Sequence, residues 1–152
     1  MSGNREQTHP SSRGAGDSQR LPYSVPISGF TTFTTAHGEG TLVFVSGITA
    51  RDEDGTIRAL DDVAGQCRWI MSTIRRVLAA SGGELDDVRQ IRTYVLDIDT
   101  AWPAIESVWK EFWPTRFPAS TLVQVARLFD KRQLIETDAI AFIPAHKQME
   151  NP

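Results

Sequence analysis

The chain has 152 residues, 40% of them hydrophobic and 23% charged, with a formal net charge of −3; that suits one domain able to bury roughly two thirds of its unfolded surface without a disulfide or metal staple. The one cysteine, Cys67, excludes an internal disulfide and fits a reducing compartment, which points to the cytoplasm. No apolar run reaches the ~20 residues of a membrane span, no apolar h-region marks a secretory signal, and the acidic balance speaks against a nucleic-acid partner.

Residues 1–22 hold three hydrophobic residues (Met1, Ala15 and Leu21) against nine Gly, Ser or Pro. Such a stretch buries too little to offset its ordering entropy, so it is expected to be a flexible tail, with His9 solvated in it. The folded domain is expected over 23–145, followed by a short polar tail over 146–152. Phe30 to Thr35 is β-prone and enters a Gly-rich turn at Gly38–Gly40, next to His37. Leu42 to Ile48 is a short, β-branched apolar run bounded by glycines, as a buried strand would be. Asp52 to Gly55 signals a turn, and a short extended piece can follow over Thr56–Ala59.

From Val63, apolar residues recur at 63, 67, 70, 71, 74, 77 and 78, one stripe at helical period. Asp61 or Asp62 can cap this helix and Gly82-Gly83 can stop it; Arg68, Arg75 and Arg76 fall on the opposite face, toward water. Val88 to Leu96 alternates as a half-buried strand. A second helix is expected to start at Thr100 as N-cap, to carry the stripe Ile105, Val108, Trp109, Phe112 and Trp113, and to end at Pro114. Strands over Thr121–Leu128 and Leu134–Ile143 complete a β-β-(β)-α-β-α-β-β order. This is an α+β domain: one mixed sheet of five or six strands with both helices on one face. In the last strand Leu134, Glu136, Asp138, Ile140 and Phe142 share one side, while Ile135, Ala139, Ala141 and Ile143 share the other. Both sides are partly apolar, so association through the helix-free face is expected.

The histidines and the cysteine form no spaced ligand set, so neither a metal nor another cofactor is expected. Gly82-Gly83 lacks phosphate-binding spacing. Cys67 lies on the apolar stripe as an inert thiol. The cluster Trp102, Trp109 and Trp113 reads as packing.

Taken together and in order, several segments resemble one family. They are Val45-Ser46-Gly47, Asp54-Gly55, Gln66, Gly82-Gly83, Asp87-Val88, the run Pro118 to Leu128, and Ile135 to Ala141. The chain resembles the RidA (YjgF/YER057c/UK114) family over about Phe30 to Phe142. The resemblance implies a chorismate-mutase-like fold, a homotrimer with sites in the clefts between subunits, and hydrolysis of reactive imines and enamines to keto acids and ammonia. It implies further that Glu136 positions or activates water and that Ser46 lines the site. It places Phe33 where many members carry a tyrosine, and Glu106 where deaminases often carry asparagine.

One departure concerns substrate recognition. Active members carry Pro-Ala-Arg, whose arginine grips the substrate carboxylate; here the motif is Pro118-Ala119-Ser120, and serine supplies no cationic fork. Standard 2-imino-acid deamination is therefore not what the resemblance implies for this chain. Glu136 then either shuttles protons or accepts a substrate hydrogen bond, or is a buried partner of Arg127 or another arginine at the trimer interface. Ser120 is either a cleft hydroxyl or a satisfied strand-end residue. Arg116 either restores a cation from the neighbouring loop or is solvated. Two readings from different classes stand: an enzyme acting by hydrolysis or proton transfer on an imine, enamine or related activated carbonyl compound, and a non-catalytic metabolite-binding or regulatory trimer. A nuclease is the third, disfavoured by the absence of a basic stripe.

Overall fold

The computed structural model describes residues 36–150. Four strands and two long helices form the domain: β1 (Gly40–Thr49), α1 (Val63–Ala80), a short 3-10 turn (Leu85–Asp87), β2 (Val88–Val95), α2 (Ile98–Phe112), β3 (Ala119–Gln124), β4 (Ile135–Pro144) and α3 (Ala145–Glu150). The sheet order is β1-β4-β2-β3. β4 runs antiparallel to both its neighbours, while β2 and β3 are parallel and joined through α2. This is the expected α+β arrangement with one mixed sheet. It has four strands among the described residues rather than five or six. Thr56–Ala59 contributes only a bridge between Arg51 and Ile57, and the expected strand at Phe30–Thr35 lies outside the described residues.

The helical stripe of α1 buries Cys67, Ile70, Met71, Ile74 and Leu78 completely. Asp62 caps its start by accepting from the Gly65 amide at 2.9 Å. At its end Gly82 adopts φ +78°, a left-handed stop that glycine takes without a Cβ penalty. Burial pushes the Cys67 thiol up to about 12, so it stays protonated. Three arginines expected simply in water are engaged. Arg68 forms a forked ion pair with Glu111 of α2, Arg75 lies 5.8 Å from the centre of the Phe112 ring, and Arg76 covers Trp69.

For α2 the N-cap is Asp97, not Thr100. Its carboxylate accepts from the amides of Asp99 and Thr100 at 3.1 and 3.4 Å, and hydrogen bonds from the Thr100 side chain and amide hold its pKa below the usual value. Starting three residues earlier brings Ile98 onto the core. Ile105, Val108 and Trp109 are buried, and Trp102 meets Trp109 edge-on at 6.1 Å, so the tryptophans pack as expected. β3 ends at Gln124 rather than Leu128, where its partner β2 runs out. Residues 145–150 form α3 rather than a structureless tail. Lys147 of α3 bonds Asp87 at 2.9 Å and pairs with Glu84. Burial works to lower the Lys147 pKa, but these two carboxylates outweigh it and hold the pKa above its ordinary value.

The two faces of the sheet are unlike. Ile135, Ala139, Ala141 and Ile143 of β4, with Val88, Ile91 and Val95 of β2, are buried under α1 and α2. On the helix-free face the register places Leu42 opposite Phe142 and Phe44 opposite Ile140. There Leu42 is 55% exposed, Phe44 72% and Val123 40%. In the described residues no helix is long and apolar enough to cross a membrane.

Candidate active site

Glu136 is the second residue of β4, half-buried on the helix-free face. Its register partners are Thr49 on β1 and Tyr94 on β2. Beside it β1 is irregular: Val45 pairs with Ala139 and Ile48 with Thr137, so Ser46 and Gly47 together oppose Asp138. Such a bulge carries one extra residue and re-aims the backbone locally. Here it puts Gly47 directly under the Glu136 side chain. A Cβ built on Gly47 would stand 2.0 Å from a Glu136 carboxylate oxygen, so a side chain at residue 47 would displace that carboxylate. Ser46 is exposed at the same bulge. The structure thus brings Ser46 and Glu136 together. Among the described residues the Glu136 carboxylate has no hydrogen-bond or ion-pair partner, Arg127 included.

One row further along, Asp138 is paired. Its carboxylate accepts from Arg92 Nε at 2.9 and 3.2 Å and from the Tyr94 hydroxyl at 3.2 Å. The hydrogen bond to Asp138 holds Arg92 above its ordinary pKa. Partial burial and the adjacent Asp138 carboxylate raise the Tyr94 phenol, with Glu136 adding to it. Arg92 and Tyr94 were not among the sequence candidates, although the alternation of β2 places both on one side.

The other candidates lie apart from Glu136 within the chain. Ser120 is the register partner of Ile91, whose side chain is in the core, so Ser120 belongs to the helix-covered side. It is two strands and three residues away from Glu136, about 14 Å on ordinary sheet spacings. Glu106 sits on α2 and binds Lys110 at 2.9 Å. Arg116 is exposed and lines a small cavity of about 110 Å³ with Arg89, Trp113 and Pro118. Burial lowers the Arg89 pKa and the charge of Arg116 lowers it further, which places two cations at the mouth of β3. Phe33 lies outside the described residues. His37 is exposed. Among the described residues no three His, Cys, Asp or Glu side chains gather as a metal site.

The family model described as Endoribonuclease L-PSP matches residues 25–143. The 3-aminoacrylate deaminase RutC of Acinetobacter baylyi is 35% identical over 102 residues, covering 67% of this chain and 79% of that protein. A solved structure of a member of the highly conserved YjgF/YER057c/UK114 family from Mycobacterium tuberculosis is 30% identical. It superimposes with a TM-score of 0.60, covering 70% of this chain and 82% of that one. A Rid-family protein of unknown function from Yersinia pestis shares the fold with a TM-score of 0.74 at 21% identity, over 84% of this chain and 98% of that one.

Proposed function

Because the chain belongs to the RidA (YjgF/YER057c/UK114) family, we propose that it acts on a small imine, enamine or related activated carbonyl compound, by hydrolysis or proton transfer. The observation that carries this reading is Glu136: a half-buried carboxylate without a partner among the described residues, resting on Gly47 at a strand bulge. A carboxylate so placed can accept a proton from water as its oxygen adds to the C=N carbon. It can return that proton to nitrogen to give the carbinolamine, then carry the carbinolamine's hydroxyl proton to nitrogen as the C–N bond breaks, giving a carbonyl compound and ammonia. Without water addition, the same group can move a proton between enamine carbon and imine nitrogen.

Ser46 is in reach of the same ligand. Ser120, Glu106 and Arg116 are not, within one chain, and would join the site from a neighbouring copy. A homotrimer with its sites in the inter-subunit clefts fits this, and it fits the apolar helix-free face carrying Leu42, Phe44 and Val123. The family's usual grip on a 2-imino acid is not proposed, since Ser120 offers a hydroxyl where a two-pronged cation is needed. No nucleic acid, membrane or cofactor enters this reading, and the cytoplasm is the compartment it suits.

The test is ammonia release from freshly generated imines, with and without an α-carboxylate. Glu136→Gln is expected to lose about 100-fold or more of the turnover. Unchanged turnover in that variant would refute the role given to Glu136. Metabolite binding with no turnover of any imine would favour the non-catalytic trimer instead.

A further inference from the structure

The loss of a cationic fork at residue 120 leaves open what recognises the polar end of a substrate held at Glu136. Among the described residues, the helix-free face carries a guanidinium suited to the task, that of Arg92. Arg92 and Asp138 are register partners, one row along from Tyr94 and Glu136. All four project from the same side, because the alternate residues of β2 and β4 point into the core. Arg92 and Glu136 are thus one strand and two residues apart, about 8 Å between Cα atoms on ordinary sheet spacings.

The way Arg92 is held matters more than the proximity. Asp138 takes its Nε hydrogen with both carboxylate oxygens, and the Tyr94 hydroxyl donates to the same carboxylate. The guanidinium is therefore fixed at its neck, while both terminal Nη groups have no hydrogen bond among the described residues. Those two groups form a planar two-pronged donor that matches a carboxylate. As a structural ion pair the arrangement would contribute little, because the Arg92 side chain is 49% exposed and water screens such pairs. Asp138, at 13% exposure, is the anchored member and Arg92 the presented one. On the far side of Arg92 the register puts Thr121 of β3, a hydroxyl-bearing residue on the neighbouring strand.

We propose that Arg92, held by Asp138 and Tyr94, is the specificity-determining residue of this site and binds a carboxylate group of the substrate through its two Nη groups. The substrate class narrows accordingly to small anionic imines or enamines. The anion is recognised from the open face of the sheet, one row from Glu136, and not from residue 120. Asp138 and Tyr94 are positioning residues. This proposal rests on Glu136 marking the site, but not on its chemistry.

The experiment separates the two. Calorimetric titration of the full-length protein with 2-oxobutanoate and with its neutral amide measures recognition without turnover. The wild type is expected to prefer the carboxylate by roughly 10- to 100-fold, the range for losing a hydrogen-bonded charge pair. Arg92→Gln is expected to abolish that preference, Arg92→Lys to restore part of it, and Asp138→Asn to weaken it while leaving the charge in place. Glu136→Gln is expected to keep it. A wild type that binds neither compound or does not distinguish them overturns the proposal, and so does an Arg92→Gln protein that still prefers the carboxylate. If Arg92→Gln dissociates the assembly while the preference survives, the prongs serve a subunit contact and the proposal also falls. Absence of imine turnover alongside an intact preference would remove the reading of Glu136 and leave Arg92 as the anion site.

Discussion

The two faces of one sheet solve opposite problems. On the covered face, several polar groups that enter the core bring partners with them, although the buried Trp109 indole N–H has none among the described residues. Thr93 and Thr137 share a hydrogen bond at 3.0 Å. Gln66 donates to the Arg132 carbonyl at 2.9 Å and to that of Ala59 at 3.3 Å, and accepts from the Leu134 amide at 2.8 Å. On the open face, among the described residues, Glu136 has no such partner and Arg92 is bonded at one nitrogen only. Closure of polar groups is what packing demands. Donors and acceptors left open beside apolar surface are what a ligand or a second subunit demands. The contrast supports the proposal that the open face is the functional one.

Three measurements can break or sharpen this contrast. The largest effect is expected on the covered face. Trp109→Ala removes a side chain 1% exposed and should cost about 3–5 kcal/mol in urea unfolding. A loss near zero would mean the helical layer is not the core.

Next is an alkaline effect from Cys67. Its folded pKa, pushed up to about 12 by burial, stands above its ordinary 9.0. The stabilisation from keeping it neutral is therefore complete below pH 9 and is lost as pH rises toward 12. Wild type should lose roughly 2 kcal/mol relative to Cys67→Ala by about pH 10.5. Parallel stability curves for the two proteins would contradict the burial argument.

The smallest effect on chain stability is expected on the open face. Phe44→Ser should change unfolding by about 0.5 kcal/mol or less when measured on dissociated chains. It should nevertheless weaken any assembly through that face, read by sedimentation. A large loss in the isolated chain would show that the open face is part of the core.

How much of this was legible in the sequence depended on how local each signal is. The stripe of α1 and its Asp62 cap were readable because helix period and cap lie within one turn of each other. The start of α2 was misread because Thr100 and Asp97 are equally good caps by type. Packing of Ile98 decides between them, and that is a tertiary fact. α3 was invisible for the same reason, since a polar hexapeptide declares no helix until Lys147 finds Glu84 and Asp87. Glu136 could be singled out from its strand context and the family resemblance, and Ser46 from the resemblance alone. The cluster around Asp138 could not be found, because neither β2 nor β4 carries the register that joins Arg92 to Asp138. The bulges in β1 and near the start of β2 help set that register, and alternation alone does not encode them. Ser120 matched a motif by position, yet its side of the sheet follows from pairing with Ile91.

The bulge at Ser46 and Gly47 also constrains how this chain can vary. With the Glu136 carboxylate lying where a Cβ of residue 47 would be, any side chain at 47 makes that carboxylate swing away from its present position. A smaller residue at 136 meets no such clash, so the constraint runs one way, from 136 to 47. Descendants of this sequence that keep the acid in this pose are expected to keep glycine at 47.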